Sequence, residues 1–386
     1  MNFIYLSPHY PPNFKAFCKN LSYLGVKVLG IADTSYEELG EDLQHTLTEY
    51  YKVSNLEDYD QVYRAVAYFI HKYGRINGIA SMNEYWLETE AKLRTDFNIE
   101  GIKINEIETM RKKSLMKQKF IENGIPAARG KVVNNIAEAE ELTKELGYPI
   151  VAKPNKGVGA SNTYKITNHE DWENFFRTKT NEEYIAEEFI EGTICTYDGL
   201  VDGNGQVVFD ISHIYQNVMD LVNYKKNVSI YSIGMIPEDL KEIGQKIIKA
   251  YNLKKMIFHF EFFRTEDGRL VALEVNMRAP GGSMIDMFNY AADVDMFREW
   301  ANIIADRPFE EDRTLKYCCA FAGRRTKERT YAHSNEEIFR KYGNIIMFAE
   351  KIKGSLADGM GDYVYVARSK NIGLLKEFTD FVQWEA

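Results

Sequence analysis

The sequence predicts an α/β fold that opens on a parallel sheet and passes into mixed α+β units, and three stretches carry that reading. Residues 3–31 alternate a short apolar strand, an amphipathic helical pattern and a second strand, the pattern of a βαβ unit. Residues 148–166 set a lysine at the end of an apolar strand and follow it with a glycine-rich loop. Residues 258–282, FHFEFFRTEDGRLVALEVNMRAPGG, read as a hairpin that holds paired carboxylates.

Taken in order, residues 3–6 form a buried strand, 14–24 a helix and 27–31 a second strand. A helix at 58–73, a strand at 78–81 and a helix at 87–97 continue the alternation, which implies a parallel sheet with crossover helices. Ligands of such sheets collect at the carboxyl ends of strands, so Ser7, His9, Tyr10, Asn83 and Glu84 are candidate substrate contacts. No G-x-G-x-x-G follows the first strand, which disfavours a nicotinamide enzyme. A helix at 109–123 carries Lys112 and Lys113 in its first turns. Strands at 131–133, 150–153 and 162–166 with a helix at 136–146 then make a small lid-like unit. Strands at 184–189 and 196–201 begin a larger sheet, and weak periodicity over 220–236 predicts a mobile segment. A helix at 238–251, the hairpin, one helix over 287–304 and closing strands at 315–321, 345–348 and 363–367 complete the chain. The expected division is 1–108, 109–186 and 187–386.

A chain of 386 residues with 45% hydrophobic and 27% charged residues can bury two or three domains' worth of core. Its net charge of -9 and pI near 5.5 argue against nucleic acid or an anionic membrane as the main partner. The four cysteines, Cys18, Cys195, Cys318 and Cys319, have no CxxC spacing, so neither structural zinc nor a disulfide framework is expected. With no cleavable leader and no apolar run of spanning length, the expectation is a cytoplasmic protein.

In the hairpin, an Asp267-Gly268 turn sets Glu261 opposite Glu274 and His259 opposite Asn276. Like charges facing each other between apolar neighbours call for a divalent cation. Alternation puts Glu274, Asn276 and Arg278 on one face and Leu273, Val275 and Met277 on the other. An exposed hairpin is the competing reading, and Phe258, Phe260, Phe262 and Phe263 are too apolar for it.

In the second stretch, Lys153 ends a strand and Lys156, Gly157, Gly159, Ala160 and Ser161 follow in a loop whose amides can approach an anion closely. This is not the GxxxxGK[ST] cradle, because the loop leads into a strand. Alone, such a loop is equally an ordinary hairpin; Lys113 upstream and the carboxylates downstream favour a triphosphate. The next strand ends in Glu187, Glu188, Phe189 and Ile190, where an adenine could find an acceptor in Glu187 and backbone contacts at Phe189 and Ile190.

A lysine, a strand lysine with a glycine loop, EEFIEG, and carboxylates in HFEFF and EVNMR together resemble the ATP-grasp superfamily, nearest its carboxylate-amine ligases and carbamoyl-phosphate synthase-like single-chain members. The resemblance runs from the N-terminal α/β region to about Asp306, and from Phe309 onward no motif matches. It implies an ATP-grasp fold with an N-terminal parallel-sheet domain, a small lid and a larger mixed sheet. It implies ATP as the nucleotide, with Lys113, Lys153, Lys156, Gly157, Gly159, Ala160 and Ser161 at the phosphates and Glu187, Glu188, Phe189 and Ile190 at adenine. Mg2+, with Mn2+ as an alternative, would sit on Glu261, Glu274 and Asn276. Arg278, Lys153 and the amides near Gly281 and Gly282 would serve the transferred phosphoryl group and the oxyanion. A ribose-binding glutamate of many relatives is replaced by Ile194, leaving Glu191 or Asp198 as substitutes. The implied reaction joins a small carboxylate, activated as an acyl phosphate, to an amine, and Glu84 is a candidate for a substrate ammonium group. A bicarbonate-using enzyme and an ATP-binding protein without turnover are the alternatives; a homodimer is compatible with all three.

Overall fold

The computed structural model describes residues 1–157, 162–215 and 226–386. Its N-terminal sheet is parallel, in the order β3-β2-β1-β4, from β1 (Asn2–Leu6), β2 (Lys27–Ala32), β3 (Glu49–Lys52) and β4 (Gly78–Ala80). Each strand of this sheet but β3 lies where the apolar runs predict it. The four residues of β3 are only half-buried at an edge and so lack an apolar signature.

A second, antiparallel sheet has the order β5-β8-β6-β7: β5 (Gly130–Val132), β6 (Ile150–Pro154), β7 (Tyr164–Ile166) and β8 (Tyr184–Glu188). Its helices Ile136–Leu146 and His169–Thr178 bury Leu142, Trp172 and Phe175 against one face. The other face is left for the cleft.

The third sheet has eight strands in the order β13-β12-β9-β10-β11-β14-β16-β15. They are β9 (Thr193–Val201), β10 (Val207–Tyr215), β11 (Val228–Ile233), β12 (Met256–Arg264), β13 (Leu270–Asn276), β14 (Cys318–Arg324), β15 (Ile346–Lys351) and β16 (Tyr363–Ser369). The region after Phe309, which carries no motif, therefore supplies three strands of the same sheet.

Three expectations are corrected. The helix over 109–123 is two, Ile104–Arg111 and Lys113–Glu122, because Lys112 leaves helical geometry with ψ 114°. The helix over 287–304 is also two, Met284–Ala292 and Met296–Ile304, separated where Asp293 turns left-handed and Asp295 caps the second with its carboxylate. Of the segment expected to be mobile, residues 220–225 lie outside the described residues, and Val228–Ile233 is an ordered strand of the large sheet. Among the described residues no helix is long and apolar enough to cross a membrane.

Candidate active site

A cleft of about 650 Å³ lies between the small sheet and the large one. Its floor is a cross-strand row on the large sheet: Val271 pairs with Phe263, Phe263 with Ile194, Ile194 with Tyr215, and Tyr215 with Ile230. All five line the cleft. At about 4.8 Å per strand, four steps make a floor roughly 19 Å long.

The hairpin delivers the predicted register, with Glu261 opposite Glu274 and His259 opposite Asn276. It does so by two cancelling departures. The loop closes on Thr265 and Arg269, not on the two-residue Asp-Gly turn, which shifts Phe262, Phe263 and Arg264 one residue out of the predicted pairing. A bulge at Leu273 restores the register before Glu274. Leu273 consequently joins the cleft wall beside Glu274, while Val275 and Met277 remain in the core on the opposite face. Phe258, Phe260 and Phe262 fill that core and send His259, Glu261 and Phe263 into the cleft.

Glu261 accepts hydrogen bonds from the Tyr215 hydroxyl at 2.5 Å and from His259 Nε2 at 3.1 Å. Burial pushes its carboxyl up, but His259 and the Tyr215 hydroxyl outweigh burial and hold it below the ordinary range. Glu274 behaves oppositely: burial raises it, Lys113 offsets part of the rise, and the Glu261 charge adds to it. Behind them His259 Nδ1 lies 2.6 Å from Asp198, which also holds His213 Nδ1 at 2.7 Å and the Thr196 hydroxyl. Burial lowers the His259 imidazole, yet Asp198 and Glu261 prevail and leave it at about 9. Asp198, expected as a substitute ribose contact, is fully buried in this network and faces no cleft. The other substitute, Glu191, is exposed and is not among the lining residues.

The anion side is built from the helix break. Asn155, just past β6, accepts from the backbone N-H groups of Lys113 at 2.8 Å and Ser114 at 2.8 Å, which fixes the start of helix Lys113–Glu122. Lys113 then reaches the Gly157 carbonyl at 2.7 Å and Glu274 at 3.6 Å. Lys153 lies 2.9 Å from Glu187, and Lys117, one helical turn past Lys113, lies 3.3 Å from the other oxygen of the same carboxylate. Lys117 went unread in the sequence, although its i+4 spacing from Lys113 was a usable signal. Burial lowers the Lys117 ammonium against the pull of Glu187. Lys156 lines the cleft near Glu88 and Glu108, and Gly157 adopts φ +117°; Gly159, Ala160 and Ser161 lie outside the described residues.

At the end of the cleft expected to hold adenine, the contacts differ from expectation. The Glu187 carboxylate is taken by two lysines rather than presented as an acceptor to a base. Glu188 forms a two-pronged pair with Arg129, at 3.1 and 2.9 Å. The Phe189 N-H is bonded to the Pro149 carbonyl at 3.2 Å, so it is not offered to a base edge. Phe189 and Ile190 still line the cleft, beside Val151 and Phe263.

Arg278 lines the same cleft as Glu261 and Glu274, donating to the Ala279 carbonyl at 2.9 Å and from Nε to Glu84 at 3.0 Å. Glu84, expected to receive a substrate ammonium, thus orients Arg278 instead, with Arg111 at 3.7 Å on its other oxygen. Gly281 and Gly282 also line the cleft, and Asn13 from the loop after β1 holds the Gly282 carbonyl at 3.0 Å. Of the other predicted loop residues, His9 bonds to Thr34 at 3.0 Å and belongs to the N-terminal sheet.

The donor set fits Mg2+ or Mn2+: two carboxylates and an amide oxygen, all hard ligands, facing the same space as Lys113 and Arg278. Among the described residues no group of three or more His, Cys, Asp or Glu could hold a metal by itself.

Residues 146–286 match the ATP-grasp domain family. The chain is 27% identical over 270 residues to the L-arginine-specific L-amino acid ligase of Bacillus subtilis, covering 67% of this chain and 65% of that protein. It is 28% identical over 191 residues to D-alanine--D-alanine ligase B of Clostridium perfringens, covering 47% of this chain and 61% of that one. The alignments thus span less than two thirds of either relative's length. Among solved structures, an L-amino acid ligase from Bacillus licheniformis superposes with a TM-score of 0.76 at 15% identity, over 98% of this chain and 97% of that one. Lys153, Glu187, Glu261, Glu274 and Arg278 all fall inside residues 146–286, the stretch that matches the ATP-grasp domain.

Proposed function

We propose that the chain is an ATP-dependent carboxylate-amine ligase of the amino-acid ligase kind. The observation that carries this reading is one cleft with two opposed carboxylates, Glu261 and Glu274, two lysines, Lys113 and Lys153, and an arginine, Arg278. The similarity to two amino-acid ligases supports it. When bound, Mg2+ on Glu261, Glu274 and Asn276 supplies charge neutralisation at the nucleotide's terminal phosphates. Lys113 and Lys153 hold the phosphate oxygens, and Phe189, Ile190, Val151 and Phe263 enclose the base. Arg278, steered by Glu84, receives the substrate carboxylate, to which the phosphoryl group passes in line. An amine then attacks the acyl carbon, and phosphate leaves with the carboxyl oxygen it was bonded to. Arg278 with the amides near Gly281 and Gly282 stabilises the tetrahedral oxyanion. The closed cleft keeps water from the acyl phosphate.

The test is ADP and phosphate release with ATP and Mg2+ across amino acids and simple carboxylic acids, singly and in pairs, with and without bicarbonate. Release stimulated by a pair, with one new amide per ADP, is the expected result. Dependence on bicarbonate would replace ligation by carboxylation, and no stimulation by any acid would leave an ATP-binding protein.

A further inference from the structure

Arg278 lines the cleft, yet it is held from another part of the molecule. Its Nε donates to Glu84 at 3.0 Å, and Glu84 stands in the loop that follows β4 of the N-terminal sheet. Its other contacts are the Ala279 carbonyl at 2.9 Å and the Asn276 side-chain oxygen at 3.5 Å, both from its own stretch of chain. Glu84 is thus the contact that ties the guanidinium to the N-terminal sheet.

The loop that carries Glu84 begins in an unfavourable conformation. Met82 is buried with φ +57°, and a side chain in the left-handed region persists only where its surroundings fix it. Ser81 supplies the fixing. Its hydroxyl donates to Glu90 at 2.5 Å and accepts from the Asn83 N-H at 3.1 Å, so one side chain spans Met82 and anchors both flanks. Asn83 in turn accepts from the Tyr85 N-H on its side-chain oxygen at 3.0 Å and from the Trp86 N-H on its carbonyl at 3.1 Å. These two bonds close the single turn Glu84–Trp86.

Behind Ser81 lies a buried ion pair. Glu90 and Arg94, one turn apart on helix Leu87–Asp96, are 2% and 9% exposed. Arg94 Nη2 is 2.6 Å from Glu90 and 2.6 Å from the Ile79 carbonyl of β4, so Arg94 grips the strand before the loop while Glu90 grips the loop's first residue. Replacing such a pair by apolar side chains of similar size is often neutral for stability, so holding the fold together does not account for it. What the pair adds is direction, since each charge meets a fixed atom at the end of β4. Ser81, Glu90 and Arg94 are not among the residues that line the cleft.

We propose that Ser81, Glu90 and Arg94 are positioning residues for Arg278: the buried pair sets the loop from Ser81 to Glu84, and Glu84 sets the guanidinium that meets the acid substrate. The competing holder of Glu84 is Arg111, 3.7 Å from its other oxygen and paired with Glu88 at 2.5 Å. A separation of 3.7 Å is beyond hydrogen-bond length and fixes the loop poorly. The task given to Arg278 rests on the ligase reading; the contacts that place it do not.

Ser81→Ala is the probe, because it cuts the loop from Glu90 and leaves the buried pair whole. The first measurement is its crystal structure beside that of the parent chain, both without substrate. The expected result is an Arg278 that has left Glu84; a retained 3.0 Å contact overturns the proposal whatever the protein catalyses. The second is a double-mutant cycle with Glu84→Gln, run with the amino-acid pair that forms most amide in the ligation test. In Ser81→Ala, kcat/KM for the acid should fall about ten- to hundredfold while KM for ATP stays within about twofold. Once Glu84 is glutamine, the same change should cost no more than about twofold. An equal loss in both backgrounds, or a loss confined to kcat in proportion to the folded fraction, overturns positioning and leaves Ser81 a purely structural residue. Where Ser81→Ala fails to fold, Glu90→Gln takes its place with the same readings. ADP release that no acid stimulates removes the ligase reading, and the two crystal structures still decide the positioning.

Discussion

The two buried charge clusters of the cleft are built from the same kinds of side chain with opposite balance. In the cluster against the small sheet, one carboxylate, Glu187, is shared by two lysines, Lys117 and Lys153. Burial alone would raise the Glu187 carboxyl, and the two ammonium groups reverse that and hold it low. In the hairpin cluster, Glu261 and Glu274 face each other with Asp198 behind them, against His259 and a Lys113 that is 3.6 Å away and shared with the Gly157 carbonyl. There burial wins at Glu274, whose carboxyl is held high. The first cluster has cation to spare and suits an anion; the second has anion to spare and suits a cation. A magnesium-bound polyphosphate satisfies both at once.

The sharpest way to break this comparison is to make the same chemical change on each side. Glu274→Gln removes a ligand from the proposed cation site, and a loss of about 10³-fold in kcat is expected. The same variant should melt no lower than the parent chain without nucleotide, because it deletes a buried charge that the apo cleft only partly pairs. Undiminished turnover, with ADP followed at saturating ATP and Mg2+, would remove Glu274 from the metal site.

Glu187→Gln should do the reverse to stability. It strands two buried ammonium groups beside a neutral amide, and such a broken pair costs about 3 kcal/mol. Urea unfolding monitored by tryptophan fluorescence reads this directly. If Glu187→Gln and Glu274→Gln shifted the midpoint in the same direction, the two clusters would not differ in the way argued.

What could be read in advance follows from how local each interaction is. The Glu261 and Glu274 pairing was legible because strand alternation and a turn signal fix it within 14 positions of chain, and it survived a wrong turn type because the Leu273 bulge cancelled the slip. Lys113 and Lys153 were legible from their place at element ends. The Asp198, His213 and Tyr215 network was not, since its members stand on strands brought together only by the eight-stranded sheet, and a lone aspartate in an apolar strand has no pattern of its own. Glu187 shows the converse: its position was right and its partners were wrong. A nearby acceptor for adenine and a counterion for two lysines look identical until helix Lys113–Glu122 is seen to bring Lys117 alongside.

Asp286 gives the smallest effect and calibrates the other two clusters. Burial and then the Glu350 charge push its carboxyl from 3.8 to about 6. With the folded-state value above the unfolded one, the folded chain keeps this proton until about pH 6. The penalty is thus absent below about pH 3, grows as the pH rises through 3.8 toward 6, and is complete above about pH 7. Asp286→Asn should therefore be neutral to stability in acid and stabilising by about 1–2 kcal/mol at pH 7.5, a figure reduced from the full shift because the side chain keeps some contact with solvent. Chemical unfolding of both chains at several pH values checks it. A stability difference that does not change with pH would mean that Asp286 is not held protonated by its surroundings. A confirmed rise would measure what a buried acidic group without a cation beside it costs this fold, the cost that Glu187 avoids with its lysines and that Glu274 meets only in part through Lys113.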